Sequence, residues 1–282
     1  MKSSPPDPID IALREDIGDG DVTTDSFVSK NARAVARILA RERAIVAGAN
    51  TAAEVFRRVD PALRIKIVHH DGDEVNIGED VIRIEGLVCS ILKAERVALN
   101  FLQHLSGIAT MTRKFVDAAE SDRVKILDTR KTTPSLRALE KAAVVAGGGV
   151  NHRFGLFDMV LLKDNHLAAM SGFDDLAKAV RQLRESRPKI QIEVEADTLE
   201  QVHGFLKIDG IDVILLDNMR PAQIREAIAL GKNKVKFEAS GGITLKNIRQ
   251  IAATGVDYIS IGALTHSSRA IDFSLEIADA NA

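Results

Sequence analysis

The chain has 282 residues, 45% hydrophobic and 28% charged, and its 38 basic and 40 acidic side chains leave a formal charge of −2. This apolar content excludes global disorder, and no apolar run approaches the roughly 18–20 residues of a membrane-spanning helix. With no Trp, 4% aromatics and no surplus of positive charge, a basic-aromatic platform for nucleic acid is excluded too.

The length leaves two arrangements open, one large α/β barrel or about two domains. The start, Met1-Lys-Ser-Ser-Pro-Pro6, has no apolar core behind its lysine, so it does not read as a secretory signal. The single cysteine, Cys89, points to a reducing compartment, the cytoplasm. Its apolar setting, Gly86-Leu-Val-Cys-Ser-Ile-Leu92, suits a small buried hydrophobe better than a nucleophile.

Residues 1–27 are polar, with Pro5, Pro6 and Pro8 ahead of the run Glu15-Asp-Ile-Gly-Asp-Gly-Asp21. The run resembles a calcium loop, but the required twelfth-position glutamate falls on Phe27. A capped helix over Ile9–Arg14 followed by turns fits better. Residues 33–87 alternate apolar and polar in short stretches: Arg33–Ala40, Arg43–Gly48, Leu63–Val68 and Val81–Glu85. A helical spacing over Thr51–Val59 stops before Pro61, and Gly72, Gly78 and Gly86 mark turns. This predicts an antiparallel sheet carrying a helix. His69-His70 falls in a turn-like stretch and is expected to be exposed. From Ser90 to about Glu120 an apolar stripe through Leu92, Val97, Leu102, Leu105, Ile108 and Met111 predicts one long helix, with Gly107 its weakest point.

A different rhythm follows. Apolar runs end at Asp128, Lys163, Glu195, Asp217, Ala239 and Gly262, the later ones 22–23 residues apart. That spacing fits one strand, one helix and two short loops, hence a βα repeat with a parallel sheet. Six strands are visible, which does not demonstrate a closed eight-stranded barrel. In such a repeat the C-terminal strand ends share one mouth. It would gather Asp128, Thr129, Arg130, Lys131, Lys163, Glu195 and Asp217, then Ser240-Gly241-Gly242 and Gly262-Ala263. The loop with Asn151, His152 and Arg153 joins them. Glycine-rich turns after the last two strands suit a phosphate held by backbone N–H groups. Arg130, Lys131, Arg153 and Lys163 imply a small, multiply charged anion. Glu195 and Asp217 suit Mg²⁺ or hydroxyl groups beside a phosphate. His152 and His166 show no matching acidic pattern, so a zinc centre is not expected.

These segments together resemble a known family. Asp128-Thr-Arg-Lys-Thr-Thr-Pro134, Ala146-Gly-Gly-Gly-Val-Asn-His-Arg153, Leu162-Lys-Asp-Asn-His166, Glu193-Val-Glu195, Leu216-Asp-Asn218, Glu238-Ala-Ser-Gly-Gly-Ile243 and Ile261-Gly-Ala-Leu-Thr-His266 are similar to quinolinate phosphoribosyltransferases. Upstream, Glu15–Thr24 and Glu95-Arg-Val-Ala-Leu-Asn100 match as well. The resemblance covers nearly the whole chain, in order.

The resemblance implies an N-terminal α/β sandwich domain followed by an incomplete (open) α/β TIM-like barrel. Boundaries are expected at 1–110 for the sandwich and 111–266 for the barrel, with 267–282 returning to the first domain. It implies transfer of phosphoribose from phosphoribosyl pyrophosphate to quinolinate with decarboxylation, giving nicotinate mononucleotide, pyrophosphate and CO₂ in de novo NAD synthesis. It implies a homodimer with shared active sites, in which Arg96 reaches the partner's quinolinate. Carried over, Arg130, Lys131, His152, Arg153 and Lys163 would clamp the acceptor carboxylates, with Lys131 and Lys163 near the diphosphate and Thr129 beside them. Glu195 and Asp217 would hold ribose hydroxyls and Mg²⁺. Ser240, Gly241, Gly242, Ile261, Gly262 and Ala263 would bind the 5′-phosphate. Three rivals remain: a paralogue of the same fold with another acceptor, a Schiff-base lyase using Lys163, and a sugar-phosphate-binding barrel without catalysis.

Overall fold

The computed structural model describes residues 7–231 and 234–277. The described residues divide into two compact units, one of residues 7–113, 132–148 and 264–277, the other of 114–131, 149–231 and 234–263. The stretch 132–148, expected within the barrel segment, thus clusters with the first unit, and the division near 110 falls inside a helix.

In the first unit, α1 (Pro8–Ile17) begins where Asp7 accepts a hydrogen bond from the Ile9 N–H at 2.9 Å, with Pro8 at the first turn. The second half of the acidic run serves the same purpose: Asp21 accepts from the Thr24 N–H at 2.9 Å and starts α2 (Val22–Phe27). Strands β1 (Arg33–Ala40), β3 (Arg64–Ile67) and β5 (Asp80–Leu87) form an antiparallel sheet with β12 (Phe273–Ile277) in the order β12-β1-β5-β3. A small ladder pairs β2 (Ala44–Ile45) with β4 (Glu74–Val75), a short strand that alternation did not predict. The apolar face of α3 (Ala49–Val59) buries Ala52, Val55 and Phe56. Helix α4 (Val88–Ala119) takes up the predicted long stripe, with Ile91, Leu102, Leu105 and Ile108 buried. Its Gly107 is a close approach rather than a weak point: a Cβ there would lie 2.2 Å from the Arg269 carbonyl oxygen. Helix α5 (Arg137–Ala146) completes this unit. Its buried Glu140 accepts from the Thr133 N–H at 3.2 Å and lies 2.8 Å from His104 Nε2.

Two expectations change here. Cys89 is half-buried at the start of α4, its thiol 3.7 Å from the Ser29 carbonyl oxygen, rather than sealed in a core. His69 is half-buried too, its Nδ1 2.9 Å from the Asp80 carbonyl oxygen, while His70 is exposed.

The second unit holds the βα repeat: β6 (Lys125–Leu127), β7 (Val160–Leu162), α6 (Asp164–Ala168), α7 (Phe173–Ser186), β8 (Ile192–Ala196), α8 (Leu199–Phe205), β9 (Val213–Asp217), α9 (Pro221–Gly231), β10 (Lys236–Ser240), α10 (Ile248–Ala252) and β11 (Tyr258–Ser260). A last turn, α11 (Ala263–His266), follows. The six strands form one parallel sheet in the order β6-β11-β10-β9-β8-β7. Each later strand joins its predecessor, and β11 closes back on β6. Among the described residues β6 and β7 do not pair with each other, so the barrel is open between them. Val150 occupies the free edge: its N–H donates to the Ile126 carbonyl at 2.8 Å, and it accepts from the Asp128 N–H at 3.2 Å. That bridge delivers Asn151-His152-Arg153 to the strand ends.

Register decides which side chains share a level. Glu195 lies opposite Leu215, which lies opposite Glu238, and Asp217 lies opposite Ser240. Because side chains alternate along a strand, Glu193 and Glu195 share a face of β8, as do Glu238 and Ser240 of β10. Glu195, Asp217 and Ser240 lie at the strand ends, while Glu193 and Glu238 lie further in.

Candidate active site

Asp128 follows β6 directly and is fully buried; its Oδ1 accepts from the His152 N–H at 2.8 Å. The bond fixes the start of the His152-Arg153 segment beside the chain that runs on to Thr129, Arg130 and Lys131. The Thr129 hydroxyl accepts from the Lys131 N–H at 3.1 Å, which turns the chain so that Lys131 is exposed and Arg130 half-buried. Arg153 is half-buried as well, and its guanidinium contacts the Met159 carbonyl oxygen at 3.4 Å. Burial first, then the neighbouring charge of Arg130, holds the Arg153 guanidinium below its ordinary pKa. Two guanidiniums are therefore brought within each other's field in a partly desolvated place, the arrangement an anionic ligand would relieve.

Lys163 follows β7, and its ammonium lies 2.9 Å from Glu195 Oε2. Glu195 is nearly buried, whereas the lysine side chain is about half exposed. Carboxylate oxygens of Glu195, Asp197 and Asp217 lie within 4.8 Å of one another. Burial, then the Glu195 charge, pushes Asp217 above the usual carboxylate range, against a hydrogen bond from Asn218 and the Lys163 charge. Asp197 was not singled out in the sequence. It lies two residues past Glu195 in the turn before α8, where Gln201 accepts from its N–H at 2.7 Å. The acid-x-acid spacing was the available signal.

The glycine turn after β10 is shaped by its neighbour. Asn218 adopts φ +54°, donates its N–H to the Ser240 carbonyl at 2.9 Å and its side-chain amide to Asp217 Oδ2 at 2.7 Å. Gly241 has φ +84°, and a Cβ there would lie 2.2 Å from Asn218 Oδ1. Gly242 also has positive φ, and its carbonyl accepts from the Asn247 side chain at 2.9 Å. The hydroxyls of Ser240 and Ser260 are 3.0 Å apart. At Ile261 the N–H donates to the Leu127 carbonyl at 3.0 Å and the side chain is buried. Gly262 and Ala263 remain at the turn, both half-buried.

Beneath this level lies a cluster that the sequence did not disclose. His152 Nε2 is 3.0 Å from Glu193 Oε2 and 3.5 Å from Glu238 Oε2, with all three side chains nearly or fully buried. Alternation along β8 and β10 thus brings His152 two acidic neighbours that its spacing from His166 does not indicate. Burial first, then the Glu193 charge, pushes Glu238 up to about 8. Arg96, on α4 of the first unit, is exposed. No described helix is long and apolar enough to cross a membrane.

The description "quinolinate phosphoribosyl transferase, N-terminal domain" matches residues 21–106, and its C-terminal counterpart matches residues 108–276. The chain is 43% identical over 267 residues to the probable nicotinate-nucleotide pyrophosphorylase (carboxylating) of Bacillus subtilis, covering 95% of this chain and 91% of that protein. It is 43% identical over 285 residues to a decarboxylating quinolinate phosphoribosyltransferase, 1b, of Nicotiana tabacum, covering 95% and 81%. The crystal structure of the Ehrlichia chaffeensis nicotinate-nucleotide pyrophosphorylase superposes with a TM-score of 0.90 at 41% identity, covering 99% of this chain and 100% of that one.

Proposed function

The chain belongs to the quinolinate phosphoribosyltransferase family, and on that premise we propose which of its residues perform the family's reaction. The activity is that of a pentosyltransferase: phosphoribose passes from phosphoribosyl pyrophosphate to quinolinate, which loses CO₂, giving nicotinate mononucleotide and pyrophosphate in de novo NAD synthesis.

The observation that carries the assignment is the gathering of cations at the strand ends: Arg130 and Arg153, both half-buried, with Lys163 paired to Glu195 at 2.9 Å. Residues 114–131 and 149–263 form the catalytic unit. Arg130, Arg153 and His152 hold the acceptor dicarboxylate, with Thr129 and Lys131 at its edge. Bidentate guanidinium contacts fix the ring nitrogen toward the ribose carbon, the orientation that displacement requires. Lys131 and Lys163 bind the diphosphate. Glu195 and Asp217 accept from ribose hydroxyls and, being anionic, stabilise the positive charge that grows at the sugar carbon as pyrophosphate departs. Ser240, Gly241, Gly242, Gly262 and Ala263 receive the 5′-phosphate. Once the ring nitrogen carries the ribose it is cationic. It can then accept the electron pair left when the adjacent carboxylate departs as CO₂. No covalent nucleophile is needed. Lys163 is engaged in an ion pair with Glu195 at 2.9 Å, whereas a Schiff-base lyase needs a free amine.

Glu195, Asp197 and Asp217 present an all-oxygen set with mutual repulsion at Asp217, which suits Mg²⁺. Bound there, the ion would neutralise charge on the leaving diphosphate. We further place the chain in the cytoplasm, in keeping with its single cysteine. It acts as a homodimer in which Arg96 of the partner subunit completes the acceptor site.

The test is pyrophosphate release from phosphoribosyl pyrophosphate and Mg²⁺ with quinolinate, nicotinate, nicotinamide or no acceptor. Release confined to quinolinate, with equimolar CO₂, is expected. Release with nicotinate alone would transfer the assignment to a paralogous acceptor, and tight binding without release would leave a binding barrel.

A further inference from the structure

We propose that Glu193 and Glu238 are positioning residues for the acceptor: they set the tautomer and tilt of the His152 ring and, through it, the backbone from which Arg153 reaches the dicarboxylate. The proposal rests on the reading above that Arg153 holds quinolinate.

The hydrogen bonds define the ring. The Arg153 N–H donates to His152 Nδ1 at 2.8 Å, so Nδ1 carries a lone pair and Nε2 carries the proton. That proton faces Glu193 Oε2 at 3.0 Å, with Glu238 Oε2 at 3.5 Å. A metal ion in this cluster is disfavoured on the same ground. A neutral imidazole that ligates through Nε2 must keep its proton on Nδ1, where the Arg153 amide already donates.

Burial leads to the same place. Glu193 and Glu238 are 0% and 2% exposed, and neither Oε1 atom has a hydrogen-bond partner. The groups facing them are His152 from its loop, Arg153, whose charge acts on Glu193, Ser260 from β11, which hydrogen-bonds Glu238, and each other. The Nε2 side of the ring is thus bounded by two buried carboxyl groups, Glu193 at 3.0 Å and Glu238 at 3.5 Å. The Asp128 bond to the His152 N–H and the Nδ1 bond to the Arg153 N–H then clamp both sides of the residue that precedes the arginine.

Kinetics and ring NMR test the arrangement in the full-length enzyme. Glu238→Leu should raise the Michaelis constant for quinolinate by about tenfold or more and leave that for phosphoribosyl pyrophosphate within about twofold. Glu238→Gln, which keeps a hydrogen-bonding side chain of the same size against the ring, should recover quinolinate affinity to within about threefold of the parent. Equal movement of both Michaelis constants, or no recovery with glutamine, overturns the proposal. If Glu238→Leu does not fold, Glu193→Gln carries the same test, since it keeps volume and removes the anionic acceptor. In ¹⁵N-histidine spectra, with His152 identified by its loss in His152→Gln, the ring should show a protonated Nε2 and a bare Nδ1. A protonated Nδ1 overturns the proposal whatever the kinetics. Arg153→Ala is the separate control: if it leaves the quinolinate Michaelis constant unmoved, the placement of the acceptor is wrong, while the ring spectrum still reports on the proton.

Discussion

Replacing Glu238 by Gln should change how the protein's stability depends on pH. The Glu238 carboxyl is held up to about 8, from an ordinary 4.5, by burial and by the Glu193 charge. Below about pH 4.5 it is neutral both folded and unfolded, and its burial costs the fold little. Above that, the unfolded chain releases the proton while the folded one keeps it, so the stability present at low pH is lost as the pH rises toward 8. At about 1.4 kcal/mol per unit, the full interval is worth up to about 5 kcal/mol. Gln has no proton to release and should not suffer that loss. At roughly 2–4 °C per kcal/mol, the melting temperature of Glu238→Gln relative to the parent should rise by about 5 °C or more between about pH 5 and pH 8.5. Melting curves followed by circular dichroism across that range provide the measurement. A difference that stays flat, or that shrinks with pH, would refute the raised proton affinity of the buried Glu238 carboxyl.

Other expectations concern the strand ends. Arg153→Ala should raise the quinolinate Michaelis constant by about tenfold or more and that of phosphoribosyl pyrophosphate much less; equal effects in steady-state assays would count against its role. Gly241→Ala forces a Cβ to 2.2 Å from Asn218 Oδ1 at φ +84°. It should cost at least about 1–2 kcal/mol of stability and weaken phosphoribosyl pyrophosphate binding, readable by denaturation and titration calorimetry. Co-expression of Arg96→Ala with Lys163→Ala should restore part of the activity lost in either variant if sites are shared between subunits, and no restoration in the purified mixed dimer would exclude sharing. Removing divalent metal with a chelator should abolish pyrophosphate release, and Mg²⁺ should restore it.

Periodicity carried the sequence reading where it worked. The apolar stripe of α4 and the strand runs that end at Asp128, Lys163, Glu195 and Asp217 are local patterns with helical or strand repeats, and the helices and strands follow them. Knowing that parallel strands end on one side was then enough to collect Lys163, Glu195 and Asp217. Asp197 escaped because a turn residue carries no such repeat. The Ile261 N–H, bonded to the Leu127 carbonyl, shows what sequence leaves open: a backbone N–H reads the same whether it faces a ligand or another strand.

What the amino-acid order determined alone was most of the elements, the parallel βα repeat and the chemical character of the mouth. Three matters belonged to tertiary structure. The closure of β11 onto β6, with the opening left between β6 and β7, depends on hydrogen bonds between segments more than 130 residues apart. The clustering of residues 132–148 and β12 with the first unit depends on packing between distant segments rather than on any local pattern. The meeting of His152, Glu193 and Glu238 depends on strand register. A shift of one residue in β8 or β10 would turn either carboxylate to the opposite face of the sheet, and no local pattern in either strand records its neighbour's register.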